Sequence, residues 1–419
     1  MSRDVVPLRD ATRTWAAISL QTFGGPAGQI AVMHRYLVDD KRWIGEQRFL
    51  HALSYCMLLP GPEAQQLATY TGWLLNGWRG GLIAGILFVL PGVAVMMALA
   101  GIYVGYGDTT VITGLFAGLA PAVVAIVIQA LIRVGRRALH HVALVMIAMA
   151  SFLALLVFDV PFPVVVLAAG LLGFALRIPV RRVGASDGPP PLVPDDALHT
   201  ERPSVSRQLK ILVPGLVVWV LPVALSSLWL GSGSVLVDQG LFFGGTALVS
   251  FGGAYAVLSF VAQHAVHTYH WLSASEMVRG LALAESTPGP LILVLQFVAF
   301  VGAYHSPGSL DPWVAGVLGA LLTVWVTFVP CFLFIFLGAP YVERLRDNRA
   351  LSAALTGITA AVVGVIANLA VFFADHTLVD LQAWLLCGLA LALIYLAKWS
   401  PLRVLGACAV LGLALQLVS

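Results

Sequence analysis

Charged residues are scarce in this sequence. Its 419 residues include 23 Lys and Arg and 20 Asp and Glu, which together make 10% of the chain, whereas a soluble domain carries roughly 25%. The hydrophobic share is 59%. Because a soluble protein needs surface charge to stay in solution, this composition excludes an ordinary cytosolic enzyme, a nucleic-acid-binding protein and a secreted disulfide-stabilised module. It predicts a polytopic membrane protein.

Cysteine is also rare, and clustered metal ligands are few. The four cysteines lie in apolar stretches without Cys-x-x-Cys spacing, so the sequence predicts no disulfide framework and no cofactor. His264, His267 and His270 follow an i, i+3, i+6 spacing, which drifts around a helix instead of converging on one point. We therefore expect no metal site there.

Long apolar runs dominate what is present. A spanning helix needs about 20 mostly apolar residues, and the runs lack the two-residue alternation of a membrane β-barrel, so the predicted fold is all-α. The 13 candidate segments are 15–33, 49–75, 80–104, 111–132, 142–158, 164–176, 211–230, 236–262, 276–301, 313–337, 351–373, 382–397 and 404–418.

Between the sixth and seventh segments, the composition changes abruptly. Residues 177–210 are rich in charge and contain three consecutive prolines, Pro189, Pro190 and Pro191, so we expect a flexible, exposed linker that buries no core. The predicted organisation is a first repeat at 1–176, a cytoplasmic linker at 177–210, and a second repeat at 211–419 with one extra leading helix.

The two halves repeat each other in sequence. Phe251-Gly252-Gly253, Trp271 and Pro288-Gly289-Pro290 each follow their counterparts Phe23-Gly24-Gly25, Trp43 and Pro60-Gly61-Pro62 by 228 residues. Beyond an insertion around 305–308 the interval becomes 239, which aligns Pro91 with Pro330 and Gly118 with Gly357. Such a constant register indicates an internal repeat.

Charge placement predicts that the repeats are inverted. Segment 211–230 has no counterpart in the first half, so it reverses the direction of everything after it. Basic residues favour cytoplasmic loops, and they change sides between the repeats: the loop after 111–132 carries Arg133, Arg136 and Arg137, whereas its counterpart 374–381 has Asp375 and Asp380 and no Lys or Arg.

The same rule predicts that two segments turn back. Loop 34–48 carries four basic residues, and the N-terminus is basic as well, so both are expected in the cytoplasm. Segments 15–33 and 49–75 would then be re-entrant hairpins, although broken helices that cross in pairs remain an alternative. Loop 262–278 and the C-terminus of this multi-pass protein are expected outside.

Helix breakers interrupt four of the apolar segments. Prolines inside a helix cost about 3 kcal/mol, and symmetry-related breaks in inverted repeats are typical of secondary transporters, whose substrates bind where helices are interrupted. Pro26 and Pro62 each precede a helical run and are expected to be its first residue. Helix N-termini favour anions, so we expect an oxyanion site of backbone amides.

The expected binding residues lie at these breaks. In the first half they are Gly24, Gly25, Pro26, Gln29, Pro60, Gly61, Pro62, Glu63 and Gln65, and in the second half Gly252, Gly253, Thr287, Pro288, Gly289 and Pro290. Gln66 and Gln296 are further candidate donors. Glu63 and Glu285 are candidates for proton coupling, although an ionised Glu63 would repel a dianion and its simpler role is to stabilise the helix N-terminus.

The strings FGGPAGQIAVM, LLPGPEAQQLATYTGWLL, FGGAYAVLSFV and LALAESTPGP resemble the chromate ion transporter family in its long form with two homologous halves. This resemblance implies export of chromate from the cytoplasm and chromate resistance, in a bacterial inner membrane. It also implies roles for Gly24, Gly25 and Pro26, for Pro60, Gly61 and Pro62, and for their second-half matches. Ala254 departs from the pattern, because the first half has Pro26 there.

Two other functions remain open at this stage. Sulfate or another tetrahedral oxyanion matches chromate in shape and charge. An intramembrane enzyme is not expected, because no apolar segment carries two carboxylates or two histidines at helical spacing. The expected partners are chromate (or sulfate) and the lipid bilayer, with no nucleic acid; a homodimer is left open.

Overall fold

A computed structural model of the chain describes residues 5–23, 25–107, 109–176, 191–194, 198–199, 204–251, 253–341 and 349–418, and these ranges are helical without a strand. The first-half helices are α1 (Leu8–Ser19), α2 (Gly25–His34, continued by a π-helical turn Arg35–Asp40), α3 (Glu46–Cys56), α4 (Glu63–Tyr106), α5 (Thr110–Ala138), α6 (Val142–Leu156) and α7 (Phe162–Leu176).

The second-half helices begin with α8 (Val205–Leu230), which has no equivalent in the first half. They continue with α9 (Val235–Val249), α10 (Ala254–Gln263, then the π-helical turn His264–Thr268), α11 (Ala274–Ser286), the 3₁₀ turn Leu291–Leu293 with α12 (Val294–His305), α13 (Pro312–Gly338, then the 3₁₀ turn Ala339–Tyr341), α14 (Arg349–Thr377), α15 (Leu381–Tyr395) and α16 (Pro401–Val418). The predicted all-α fold is confirmed for the described residues.

Several helices can cross a membrane. Six in the described ranges are long and apolar enough by length and composition: α4, α5, α8, α13, α14 and α16. Many of their large apolar side chains point outward, such as Leu228 of α8 at 84% exposed and Ile86 of α4 at 50%. The protein is a polytopic membrane protein, as its composition predicts.

The predicted helix breaks are present. Each of the segments 15–33, 49–75, 236–262 and 276–301 is divided into shorter helices. α1, α2 and α3 have 12, 10 and 11 residues, and at 1.5 Å per residue each is roughly 15–18 Å long. These helices are too short to cross a hydrocarbon core of about 30 Å, because glycine and proline end them at mid-segment.

Helix α4 consists of two antiparallel arms, 63–75 and 78–106. Asn76 and Gly77 have non-helical backbone angles, with φ of −139° and 59°. Past this turn, a Cβ on Gly80 would collide with the carbonyl of Gly72, and one on Gly85 would meet Thr69 and Phe332. The arms therefore pack closely along glycines, and the GxxxG pair Gly81 and Gly85 lies at this contact.

The sequence repeat recurs in the helix boundaries. α5, α6 and α7 begin at 110, 142 and 162, and α14, α15 and α16 begin 239 residues later at 349, 381 and 401. The interval between equivalent residues changes from 228 to 239 at one connection. The first half has the two-residue turn within α4 there, and the second half has the loop 306–311 between α12 and α13. The orientation of the halves in the membrane stays a prediction.

The two halves exchange helices. α5 packs on α15 and α16 of the second half, whereas its counterpart α14 packs on α6 and α7 of the first half. Gly118 of α5 and Gly357 of α14 occupy equivalent contacts, because a Cβ on either would collide with a backbone carbonyl of the opposite half, Cys408 and Ala169 respectively. Small residues thus bring the halves together.

The linker differs from its prediction where it is described. Leu198 is 3% exposed, and the Leu192 and His199 amides donate to the carbonyls of Arg42 and Leu74 at 2.7 and 2.8 Å. The expectation that the linker buries nothing is wrong for Leu198. Helix α8 also begins within the predicted linker, at Val205.

Candidate functional site

The four helix breaks meet in two crossed pairs. The Gly61 amide of the first half donates to the Ser250 carbonyl of the second at 2.9 Å, and the Gly289 amide of the second half donates to the Thr22 carbonyl of the first at 3.0 Å. Gly289 follows Gly61, and Ser250 follows Thr22, by the same 228 residues. Each Pro-Gly-Pro break therefore contacts the Phe-Gly-Gly break of the opposite half, and the two contacts are equivalent.

Glycine is required at these breaks by backbone conformation. Gly25, Gly61, Gly253 and Gly289 have φ angles of 72°, 115°, 98° and 100°, a region that residues with a side chain rarely adopt. Space is also limiting, because a Cβ on Gly61 would lie 2.8 Å from the Cys331 sulfur. Gly24 and Gly252, which the sequence also assigns to the site, lie outside the described residues.

Each break leads directly into the N-terminus of a helix. Pro62 has an extended conformation (φ −70°, ψ 104°) and α4 begins at Glu63, so Pro62 precedes the first helical residue instead of being it. Pro26 follows Gly25 at the start of α2, and α10 begins at Ala254 despite the missing proline. No side chain in the described ranges caps the N-termini of α4 or α10, so their first backbone N–H groups remain available within that part of the chain.

The predicted side-chain donors brace the breaks. Gln29 Nε2 donates to the Gly289 carbonyl at 2.5 Å, which ties α2 to the opposite Pro-Gly-Pro break. Gln66 Nε2 donates to the Pro60 carbonyl at 2.6 Å, and Thr287 Oγ1 donates to the Leu283 carbonyl at 2.7 Å. These donors hold the backbone in its broken conformation.

The remaining glutamines follow the same pattern. Gln65 Nε2 donates to Thr69 Oγ1 at 3.1 Å, and Gln296 Nε2 donates to the Val93 carbonyl at 3.0 Å. The buried amide oxygens of Gln29, Gln65, Gln66 and Gln296 have no hydrogen-bond partner within the described structure. Because an anion needs donors, these oxygens would not bind it, and the available donors near the breaks are mainly backbone N–H groups.

The two candidate carboxylates have different surroundings. Glu63 makes no hydrogen bond or ion pair with the described part of the chain and is partly accessible. Glu285 is 3% exposed, and one of its oxygens accepts a hydrogen bond from the Tyr255 hydroxyl. Tyr255 was not singled out in the sequence; Ala27 holds its place in the first half, and only the fold brings it to Glu285.

Equivalent positions around the breaks differ in exposure. Met57 is 50% exposed, whereas its second-half counterpart Glu285 is 3% exposed. In the same way, Ser54 is exposed, whereas its counterpart Ala282 is completely buried. The approach to the first-half Pro-Gly-Pro break is therefore more open than the approach to the second-half break, while Gly61, Pro62, Gly289 and Pro290 are themselves buried. Sequence alone could not reveal this difference, because both halves carry the same glycines and prolines.

Two residues at the crossed contacts were missed at the sequence level. Cys331 lies against Gly61, and its counterpart Gly92 lies against Gly289. Each follows a proline within a long helix, Pro330 in α13 and Pro91 in α4. The interval of 239 residues between Pro91 and Pro330 could have identified both positions from the sequence, because it is the same interval that relates the other equivalent residues in this part of the repeat.

Comparison with known proteins identifies relatives along nearly the whole chain. Residues 10–174 and 237–413 both match the chromate transporter family. The chromate transport protein of Cupriavidus metallidurans is 28% identical over 97% of this chain and 92% of its own length. That of Pseudomonas aeruginosa is 31% identical over 85% and 79%, and the probable chromate transport protein of Synechococcus elongatus is 26% identical over 92% and 89%.

No solved structure matches this chain. The family match covers both halves, and it includes all four helix breaks and the glycines at which they cross. A protein with this repeat, this membrane-spanning fold and these relatives is a member of the chromate transporter family.

Proposed function

We propose that this protein exports chromate from the cytoplasm of a bacterial cell across the inner membrane. The observation that carries the proposal is the crossed pairing of the four breaks, through Gly61 with Ser250 and Gly289 with Thr22, in a chain whose relatives are chromate transport proteins. The broken helices place backbone donors in an apolar protein that has few cations to offer an anion.

The proposed site holds the oxyanion at helix N-termini. The N-terminus of a helix carries a partial positive charge and free N–H groups, and both favour a negative ligand. Four helix starts are available in this way: those of α2 and α4 in the first half, and those of α10 and the Leu291–Leu293 turn in the second. Glycines lie at each of these starts, and they have no side chain that could obstruct the ligand. Among the described residues, the approaches are formed by Gly25, Pro26, Pro60, Gly61 and Pro62 in the first half and by Gly253, Pro288, Gly289 and Pro290 in the second.

Transport would proceed by alternating access between inverted halves. The exposure of Met57 and Ser54, against the burial of Glu285 and Ala282, supports a conformation in which the first-half break is open and the second-half break is closed. In the predicted topology, the open side faces the cytoplasm. A change to the opposite conformation, with the first-half break closed and the second-half break open, would release the anion on the other side of the membrane.

The membrane potential is sufficient to drive export. Moving one charge through 100 mV corresponds to about 2.3 kcal/mol, so a dianion leaving an inside-negative cell gains roughly 4.6 kcal/mol. That free energy supports a concentration gradient on the order of a thousandfold. Proton coupling through Glu63 or Glu285 is therefore an addition to export and not a requirement for it.

Transport by membrane vesicles tests the proposal. Inside-out vesicles containing the protein should accumulate radiolabelled chromate, and Gly61→Leu should abolish accumulation because the side chain would collide with Cys331 and Gln66. Gly308→Leu is a matched control: Gly308 also has a positive φ, of 64°, but a side chain there would meet nothing within 4 Å. Wild-type accumulation no greater than that of Gly61→Leu would refute chromate export.

Sulfate is the alternative substrate, since it is a tetrahedral dianion like chromate. Adding unlabelled sulfate to the same vesicles separates the two substrates. Little inhibition at a large excess of sulfate supports chromate selectivity, whereas inhibition at equal concentrations indicates a general oxyanion transporter.

A further inference from the structure

Arg279 is an isolated cation in the second half. It is the only Lys or Arg between Lys210 and Arg344. It lies on α11, the helix that ends at the Thr287–Pro290 break, and eight residues separate it from Thr287. At 1.5 Å per residue it lies about 12 Å from the break along the helix axis.

The arginine lies between aromatic rings and retains most of its hydrogen-bonding capacity. Its guanidinium carbon lies 6.0 Å from the centre of the Tyr103 ring and 5.5 Å from that of Phe116. Nη1 donates to the Tyr103 hydroxyl at 3.3 Å, the one hydrogen bond of its side chain within the described structure. Guanidinium has five N–H donors, so it can still bind an anion with two parallel hydrogen bonds.

Glu276, one turn before Arg279 on α11, is linked to it only through the Tyr103 hydroxyl. Glu276 accepts from the Ser273 amide at 2.8 Å and from the Ser273 hydroxyl at 3.0 Å, and Tyr103 donates to its other oxygen at 3.5 Å. His305 Nε2 lies 4.0 Å from that second oxygen. Among the described residues, no carboxylate lies within 4.0 Å of the Arg279 guanidinium, so its charge is not paired.

A partly accessible stripe connects Arg279 to the break. Along α11 the accessible positions are Ser275, Glu276, Arg279, Leu283 and Ser286, which share one helix face, and the stripe reaches Pro288 at the break. The residues between them are buried, including Met277, Val278, Leu281 and Ala282, none more than 1% exposed. Four of the five accessible side chains are polar, which indicates a face that meets water more than lipid.

We propose that Arg279 is an anion-docking residue on the path between the second-half break and the membrane face where α11 begins. The inference rests on the proposed function, because it assigns one end of the route that the transported oxyanion takes. Arg279 binds the anion with its free N–H groups, and the stripe through Leu283 and Ser286 conducts the anion between Arg279 and the break. The first half has His51 at the equivalent position.

Chromate transport from each membrane face tests this assignment. Radiolabelled chromate uptake is measured in right-side-out and inverted vesicles for wild type, Arg279→Met, Arg279→Lys and a control, Arg403→Met. Arg403 is an exposed arginine at the start of α16, distant in sequence from the breaks, so its replacement removes the same charge elsewhere.

Arg279→Met should raise the half-saturating chromate concentration about tenfold or more at the face where α11 begins, the factor expected for one charge-assisted hydrogen bond. It should have little effect at the opposite face. Arg279→Lys should be intermediate, since it keeps the charge and loses the planar fork, and Arg403→Met should resemble wild type. A purely structural role of Arg279 with the two rings would instead lower the amount of folded protein and affect both faces equally.

The stripe is tested separately, without any anion. A membrane-impermeant maleimide should label Leu283→Cys from the same face, over a low background because the four native cysteines are buried. An unlabelled Leu283→Cys, or Arg279→Met kinetics that match wild type at both faces, would overturn the Arg279 assignment. Absence of chromate transport by the wild type would instead overturn the proposed function, which keeps the two failures distinct.

Discussion

Trp219 of α8 and Trp325 of α13 donate to each other's helix. Trp219 Nε1 donates to the Val326 carbonyl and Trp325 Nε1 donates to the Val218 carbonyl, both at 2.9 Å. Each carbonyl lies four residues before a proline, Pro330 in α13 and Pro222 in α8. Proline removes the helical hydrogen bond to that carbonyl, so each indole satisfies an acceptor that a proline has left free.

This reciprocal pair anchors α8, the helix without a counterpart in the first half. Trp219→Phe should destabilise the protein by about 1 kcal/mol, because the Val326 carbonyl loses its donor in an apolar environment. Thermal unfolding in detergent measures the change, and Trp325→Phe should give a similar loss. Trp229→Phe is the control, since Trp229 is 67% exposed at the end of α8; equal stability losses for all three would contradict the pairing.

Replacing two glycines with alanine should separate the effect of packing between the halves on stability from the effect of helix propensity. Gly357→Ala should destabilise the protein by about 1–3 kcal/mol, because its Cβ would collide with the Ala169 carbonyl across the interface. Gly388→Ala on the exposed side of α15 meets nothing within 4 Å, and it should raise stability by up to about 1 kcal/mol through helix propensity. The same unfolding measurement serves both; a stabilising Gly357→Ala would show that the halves do not pack at that glycine.

Removing the charge of Glu63 should tighten anion binding. Glu63 lies at the start of α4, and an ionised carboxylate there opposes a dianion at the same helix end. A unit charge in a partly hydrated site contributes on the order of 1–2 kcal/mol, so Glu63→Gln should lower the half-saturating chromate concentration by about tenfold. Glu46→Gln at the start of α3 is the control. Weaker binding in Glu63→Gln would instead assign Glu63 a positive role in the site.

Breaking the Tyr255–Glu285 hydrogen bond should affect transport more than folding if it closes the second-half break. Tyr255→Phe removes the hydroxyl that Glu285 accepts, leaving the ring in place. We expect a change of about threefold or more in maximal chromate transport, the size of one lost hydrogen bond, with the amount of folded protein unchanged. Identical transport rates would show that the pair has no part in gating.

Topology can be examined with accessibility reporters. An impermeant reporter in loop 34–48 should react only from the cytoplasmic side, and one at the C-terminus only from outside, because basic residues determine which loops remain in the cytoplasm. A loop 34–48 that reacts from outside would refute the re-entrant arrangement and favour helices that cross in pairs.

Much of the fold was predictable because its signals are local. The breaks at Gly25 and Pro62 occur where predicted, since glycine and proline act on their own backbone. The linker prediction failed at Leu198 for the opposite reason: a single leucine in a charged segment has no periodicity to reveal its burial, and its contacts come from distant parts of the chain.

The sequence by itself determined that this chain enters a membrane, repeats once and interrupts its helices at four places. Composition, the constant interval between repeats and the backbone chemistry of glycine and proline are sufficient for that. Only the tertiary structure decided which break faces which, and that Gln29 braces the opposite Pro-Gly-Pro break across 260 residues. It also decided that Arg279 lies on the accessible face of α11 and that its guanidinium makes one hydrogen bond within the described structure. Such pairings depend on contacts between distant segments, which no local pattern encodes.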